Sequence, residues 1–272
     1  MARTNTKTDL TVIVPAWNLD AELREAVKGI KAQRVPCRII IVDNASDTPL
    51  PKIAGVEYLK LPHRMTVGAA RNEALRTVKT EYVFFADADD LILPHTFSTL
   101  RGALERHPEA VAAAGREVLW NPNTGTKVPS DWPFSYTERL QRHRLGFALM
   151  NTLRNIFPIA GYVVHRTAAV QRCGGFADMN YAEDWCLGVP LAYQGRVLLT
   201  DHPGRLYRLV GERPRLSSQA KGSVTLRWQA QREVRKRLRR TPGIPMWVKV
   251  VSPLLVIPHL GFLIVDLVRT RR

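Results

Sequence analysis

Three short apolar runs, LTVIVPA (10–16), CRIIIVD (37–43) and EYVFFAD (81–87), each give way to polar residues, and amphipathic stretches separate them. β-Branched runs of this length read as buried strands, and DAELREAVKGIKAQ (20–33) between the first two reads as a helix, with Asp20 available as its N-cap. VEYLKL (56–61) is a candidate third strand and VGAARNEALRTVK (67–79) a second helix. Strands alternating with helices dictate an α/β fold whose mostly parallel central sheet is flanked by helices, with its ligand crevice beyond the carboxyl ends of the strands. Residues that carry chemistry are expected there.

The pattern continues with a helix after Pro94 to about Arg106, a strand at AVAAAGREVLW (110–120) and a turn-rich loop at 121–134. A helix over 138–150, a strand at IAGYVVHR (159–166), a helix at AEDWCLGVPLAYQ (182–194) closed by Gly195, and a last central strand at RVLLTD (196–201) follow. The 272 residues have room for one such domain, placed at 1–219, and an appended segment, 220–272. Apolar content of 45% and charged content of 24% belong to an ordinary folded protein and exclude a disordered or polytopic chain. Cys37, Cys173 and Cys186 are odd in number and unpaired in spacing, which favours a reducing compartment over a disulfide framework. MARTNTKTDL runs straight into the first strand without a signal-type apolar core, so secretion is not expected.

The net charge of +16 is localised: from Arg205 to Arg240 there are twelve Lys/Arg against Glu212 and Glu233. Residues 220–240 read as a basic helix, and 244–268 is the most apolar stretch of the chain. It is long enough to cross a bilayer, yet Lys249, His259, Asp266 and three prolines interrupt it, which favours a kinked interfacial segment over a straight span. A basic helix beside a Trp-containing apolar segment matches anionic headgroups, so membrane lipids are the expected partner and the cytoplasmic face of a membrane the expected location, peripheral or monotopic. The rival reading of REVRKRLRR (232–240) as a nucleic-acid contact leaves the adjoining apolar stretch unexplained, and no nucleic-acid partner is expected.

The sharpest chemical signal is FADADD (85–90) at the end of a buried run. In a regular strand positions 87 and 89 share one side, so Asp87 and Asp89 form a candidate site for Mg²⁺ or Mn²⁺, completed by substrate phosphates. An acidic turn that caps the next helix, with Asp90 at its N-terminus, is the competing structural reading. VPAWN (14–18) and VDNASD (42–47) place further polar residues, Asn18 and Asp43 among them, at two other strand ends.

Five segments in order, VPAWN, VDNASD, VGAARN, DADD and AEDWCL, resemble the V-P-x-Y-N, V-D-D-G-S-x-D, G-x-x-x-A-R-N, D-x-D-D and E-D-x-x-L pattern of family 2 glycosyltransferases over roughly residues 10–200. That resemblance implies a GT-A, Rossmann-like fold and an inverting enzyme that moves a sugar from a nucleotide diphosphate, with a UDP-sugar as donor and a lipid-linked or cell-envelope glycan as acceptor. It implies Pro15 and Asp43 at the base, Arg71 near the diphosphate, Asp87 near ribose and metal, and Asp89 on the metal. Asn44 stands where the family pattern has a second Asp, and Trp17 where it has Tyr.

Inversion needs a base for the acceptor hydroxyl. Glu183 and Asp184 are the candidates; as residues alone they serve equally as helix-dipole partners, and the resemblance to the E-D segment implies Asp184 as base with Glu183 beside it. Asp178 either contacts the acceptor or caps a turn, and Gly161 could permit close approach of acceptor. Arg213, Arg215 and Ser217 could close over phosphates or form a solvated loop. Scattered histidines, no G-x-G-x-x-G after the first strand, no P-loop and no G-x-S-x-G remove zinc, dinucleotide, NTPase and serine-hydrolase readings. A non-catalytic sugar-nucleotide binder and a nucleotidyltransferase remain as alternatives. The former sits poorly with Asp87, Asp89 and Asp184, the latter with the lack of a Gly/Lys-rich N-terminal loop.

Overall fold

Burial with a period of two in the first strands decides the architecture. In β1 (Leu10–Ala16), Leu10, Val12, Val14 and Ala16 enter one core cluster while Ile13 enters another. In β2 (Cys37–Asp43), Ile39 and Ile41 join the first and Ile40 and Val42 the second. A sheet buried on both faces needs helices on both. On one side α1 (Ala21–Lys31) contributes Leu23, Val27 and Ile30, and α3 (Thr96–Arg106) contributes Phe97, Leu100 and Leu104. On the other lie α2 (Val67–Leu75), α4 (Arg144–Leu153) and α6 (Glu183–Gln194). The computed structural model describes residues 8–130, 142–156, 161–210 and 223–261.

The remaining strands are β3 (Glu57–Lys60), β4 (Tyr82–Phe85), β5 (Leu91–Ile92), β6 (Ala110–Trp120), β7 (Lys127–Pro129), β8 (Val163–Arg166) and β9 (Arg196–Arg208). Their order is β3-β2-β1-β4-β8-β6-β9-β5, with β7 paired to β6. The first four are parallel, β8 runs antiparallel to both β4 and β6, β9 is parallel to β6, and β5 is antiparallel to β9. The sheet is therefore mixed, and the expected mostly parallel arrangement holds only for its amino-terminal half. Chain order reverses at β1, between β2 and β4, which is where an open α/β sheet opens its binding crevice.

Several boundaries differ from expectation. Asp20 does not cap α1, because its carboxylate accepts from Arg24 Nε at 2.7 Å instead. Helix α2 stops at Leu75 rather than running to 79. The loop expected at 121–134 contains β7, which folds back on β6. Of the helix expected over 138–150, residues 138–141 lie outside the described residues and α4 runs Arg144–Leu153; of the strand expected over 159–166, residues 159 and 160 lie outside them and β8 begins at Val163. RVLLTD is the start of a longer strand: irregularities in the β6–β9 pairing between Ala110 and Ala112 and around Arg116 let β9 continue to Arg208, beside the two-residue strand β5 rather than in the sheet's centre.

The carboxyl-terminal part packs on the sheet domain. In α7 (Val224–Arg240), Ala230, Val234 and Leu238 belong to the same core cluster as α6, with α5 (Thr167–Arg172) nearby through Ala169 and Val170. The 219/220 boundary falls outside the described residues. Arg237 donates to the carbonyls of Gly175 at 2.6 Å and Phe176 at 2.8 Å, so part of the charge read as one basic stretch is spent on main chain. Beyond it, α8 (Met246–Val251) and a 3₁₀ turn, Ser252–Leu255, lead into helical residues 256–261. No helix among the described residues is long and apolar enough to cross a membrane.

Candidate active site

The parallel strands deliver Asp43, Trp17 and Asp87 to one edge, because β2, β1 and β4 end side by side there. Strand β4 ends at Phe85, so 86–90 is a turn and not the regular strand expected to run to 87. Alternate burial nevertheless persists: Ala86 and Ala88 are in the core, whereas Asp87 and Asp89 are only partly covered.

Two buried arginines organise this edge. Arg71, 3% exposed, donates to Asp87 Oδ1 and to Glu183 Oε1, both at 2.7 Å. Burial works against its charge, but Asp87 and Glu183 outweigh that and hold its pKa above the ordinary value. Arg71, expected near the diphosphate, ties the DADD turn to the E-D segment, and at the α2 terminus Thr66 Oγ1 accepts from Ala69 N and Asn180 Oδ1 accepts from Val67 N. A methyl on Gly68 would lie 1.9 Å from Ala177 O, so the glycine lets α2 press on that loop.

Arg205 is the second. It donates to Asp87 Oδ2 at 2.8 Å and to Glu117 Oε2 at 2.6 and 3.0 Å, lies 2.9 Å from Asp90 Oδ2, and stacks over Tyr162 and Tyr207. Gly161, expected to admit acceptor, serves this residue: at φ +89° its missing side chain makes room for the guanidinium, which a Cβ would meet at 1.8 Å. Arg208 donates to the Asp89 carbonyl at 2.8 Å and pairs with Glu25, and its N–H is accepted by the fully buried Asp90. Asp90 thus anchors β9 and is not a helix cap. Arg205, Arg208 and Glu117 had no mark in the sequence; Arg205 meets Asp87 across 118 residues.

The acids of α6 sit across from Asp87. Ala182, the residue before them, takes a left-handed φ of 55°, a strain that is tolerated where side chains must be aimed. Glu183 is buried and held by Arg71, while Asp184 is partly exposed and accepts from Trp185 N at 2.7 Å. Burial, reinforced by Asp184, raises the Glu183 pKa to about 7, and burial also raises that of Asp184.

Nearer β1 and β2, Pro15 faces Val42 in the strand pair, and Asp43 Oδ1 accepts from Ser46 N at 2.9 Å. Asn18, at φ 53°, joins the two strand-end loops by donating to Asp47 and accepting from Asp47 N and Thr48 N. Asn44 donates to Met65 O at 2.9 Å and accepts from Met65 N at 2.8 Å, a pair of bonds in which an Asp would lose the donor. Arg64 lies over the Trp17 ring at 3.5 Å. Asp178 accepts from Thr66 Oγ1. Arg213, Arg215 and Ser217 lie outside the described residues.

Among the described residues no three His, Cys, Asp or Glu side chains form a metal-binding group. A cation shared with a diphosphate needs only one or two carboxylates. Asp87 and Asp89 carry the hard oxygen donors such a cation takes, and both oxygens of Asp87 accept from guanidiniums, Oδ1 from Arg71 and Oδ2 from Arg205.

Residues 11–160 match the family described as Glycosyl transferase family 2. The chain belongs to that family. A protein of Haemophilus influenzae named as an uncharacterized glycosyltransferase is 28% identical over 185 residues, 64% of each chain. The pre-mycofactocin glycosyltransferase of Mycobacterium tuberculosis is 29% identical over 224 residues, 73% of this chain and 44% of that protein. The chain thus spans less than two thirds of the length of these relatives. In fold it is similar to S. aureus TarS residues 1–349, crystallised with UDP-GlcNAc: TM-score 0.67 at 18% identity, covering 94% of this chain and 73% of that one.

Proposed function

We propose that this family 2 chain is an inverting glycosyltransferase that takes a sugar from a nucleotide diphosphate, with a UDP-sugar as donor and a lipid-linked or cell-envelope glycan as acceptor. The observation that carries the reading is the Arg71 bridge, which fixes Asp87 at the strand edge and Glu183, next to Asp184, within one guanidinium's span. The UDP-GlcNAc bound by TarS supports the choice of donor class.

Asp184 is the base in this reading. Glu183 is committed to Arg71, whereas Asp184 is partly exposed and its carboxylate is oriented by the Trp185 N–H. The Asp184 carboxylate takes the proton from the acceptor hydroxyl as its oxygen bonds to the anomeric carbon. The bond from that carbon to the diphosphate oxygen breaks with its electron pair leaving on the diphosphate. A pKa raised by burial strengthens the carboxylate as a base. Asp89 and Asp87 would hold a Mg²⁺ or Mn²⁺ that supplies positive charge to the departing diphosphate. Pro15, Asn18 and Asp43 shape the base end of the donor site.

The test is a panel of nucleotide sugars read by thermal stabilisation and by metal-dependent release of nucleoside diphosphate, with and without EDTA. Asp184→Asn is expected to keep donor-induced stabilisation and to lose turnover by about 10²–10⁴-fold. Residual turnover within tenfold of wild type would reject Asp184 as base, and stabilisation by no nucleotide sugar would reject the donor class.

A further inference from the structure

Among its described residues the carboxyl-terminal segment has one face buried against the domain and an apolar face that is exposed. Val248, Ser252 and His259 turn inward: His259 Nε2 donates to Thr152 O at 3.0 Å, its Nδ1 accepts from Arg235 at 2.8 Å, and its ring meets the edge of Trp185. This clamp fastens the segment to α4, α6 and α7. On the outside, Met246, Trp247, Val250, Leu254, Ile257 and Leu260 recur at helical spacing, and Met246 and Ile257 are 71% and 69% exposed. Such a contiguous stripe is not an ordinary protein surface.

Charge identifies what covers it. Residues 223–261 hold eight Lys/Arg and a single acid, Glu233, which is bound to Lys236 and Arg237. Arg232, Lys236, Arg239 and Arg240 are exposed on α7, against which the segment packs. A second copy would set this cationic surface against itself, whereas an anionic bilayer supplies both apolar depth and negative charge. We infer that this face docks flat on an anionic lipid surface, its apolar stripe in the headgroup boundary and the α7 cations on the headgroups. The His259 clamp and the proline-containing 3₁₀ turn at Ser252–Leu255 suit a segment that lies in the interface.

The inference is independent of the donor and base assignments. Purified full-length chain is floated with vesicles of phosphatidylcholine alone or mixed with phosphatidylglycerol. Wild type is expected to float with the mixed vesicles and much less with the neutral ones, and added salt is expected to weaken the difference. Trp247→Glu with Leu254→Glu is expected to lower flotation on the order of tenfold, and Arg239→Glu with Arg240→Glu to abolish the preference for phosphatidylglycerol. All four positions are solvent-facing, and an unchanged far-UV circular dichroism spectrum and melting temperature check that the variants fold. Wild type that stays in the protein fraction, or a Trp247/Leu254 variant that floats as well as wild type, overturns the inference. So does a sedimenting dimer that the same variant converts to monomer.

Discussion

Replacing Arg205 with Met keeps the length and apolar stem of the side chain and removes its guanidinium. Asp90, with no solvent exposure, then loses its ion pair with the guanidinium, and Glu117 loses two bonds of 2.6 and 3.0 Å. Removing one partner of a buried ion pair costs about 3–5 kcal/mol, because the remaining charge is stranded in the interior. The stacking over Tyr162 and Tyr207 adds about 1 kcal/mol. Against a total stability of about 5–15 kcal/mol this is a large fraction, so Arg205→Met is expected to unfold at much lower urea with an unchanged slope. Equilibrium unfolding followed by far-UV circular dichroism measures it. Arg205→Met combined with Glu117→Gln should recover part of the loss, giving a coupling of at least about 1 kcal/mol. A single-variant cost below about 1 kcal/mol, or strictly additive costs, would refute the network.

Three further outcomes follow. Burial lowers the His165 pKa to about 3 from 6.5, and neither ring nitrogen has a hydrogen-bond partner among the described residues. The unfolded chain therefore binds one more proton than the folded chain between those values, and stability is lost as the pH is lowered through that window, by about 1.4 kcal/mol per unit. His165→Leu should flatten the slope by that amount between pH 6.5 and 4, and parallel wild-type and variant curves would contradict it. Asn44→Asp should cost about 1–3 kcal/mol, since a carboxylate cannot donate to Met65 O, and thermal melts read this directly. With Glu183 raised to about 7 and Asp184 also raised, kcat/KM should climb with pH well above the usual carboxylate range; a profile flat from pH 5 to 8 would remove the acids of α6 from the rate.

What was legible in the chain were features that leave local marks. The β1, β2 and β4 runs announce themselves by apolar repetition, and the five ordered segments announce the family. Pairings set at long range were not legible. Nothing around Arg205 distinguishes it from the cations of the basic stretch, because its burial comes from two irregular pairings in β6–β9 and from the space left by Gly161. The ion pairs of Arg71 with Asp87 and Glu183 are equally invisible, because helix position cannot show which acids of distant segments a side chain meets. The mixed sheet was missed for a similar reason: strand direction depends on which neighbour a run finds, and β8 finds both of its neighbours running the other way.

One guanidinium holding an acid from the strand edge and an acid from α6 has a consequence for how such a chain can diverge. A change that shifts the DADD turn moves the E-D pair with it, so under the proposed function donor preference and acceptor preference are expected to change together. Relatives that keep an arginine at position 71 are expected to vary their substrates through the loops around this unit and to leave the unit's spacing alone.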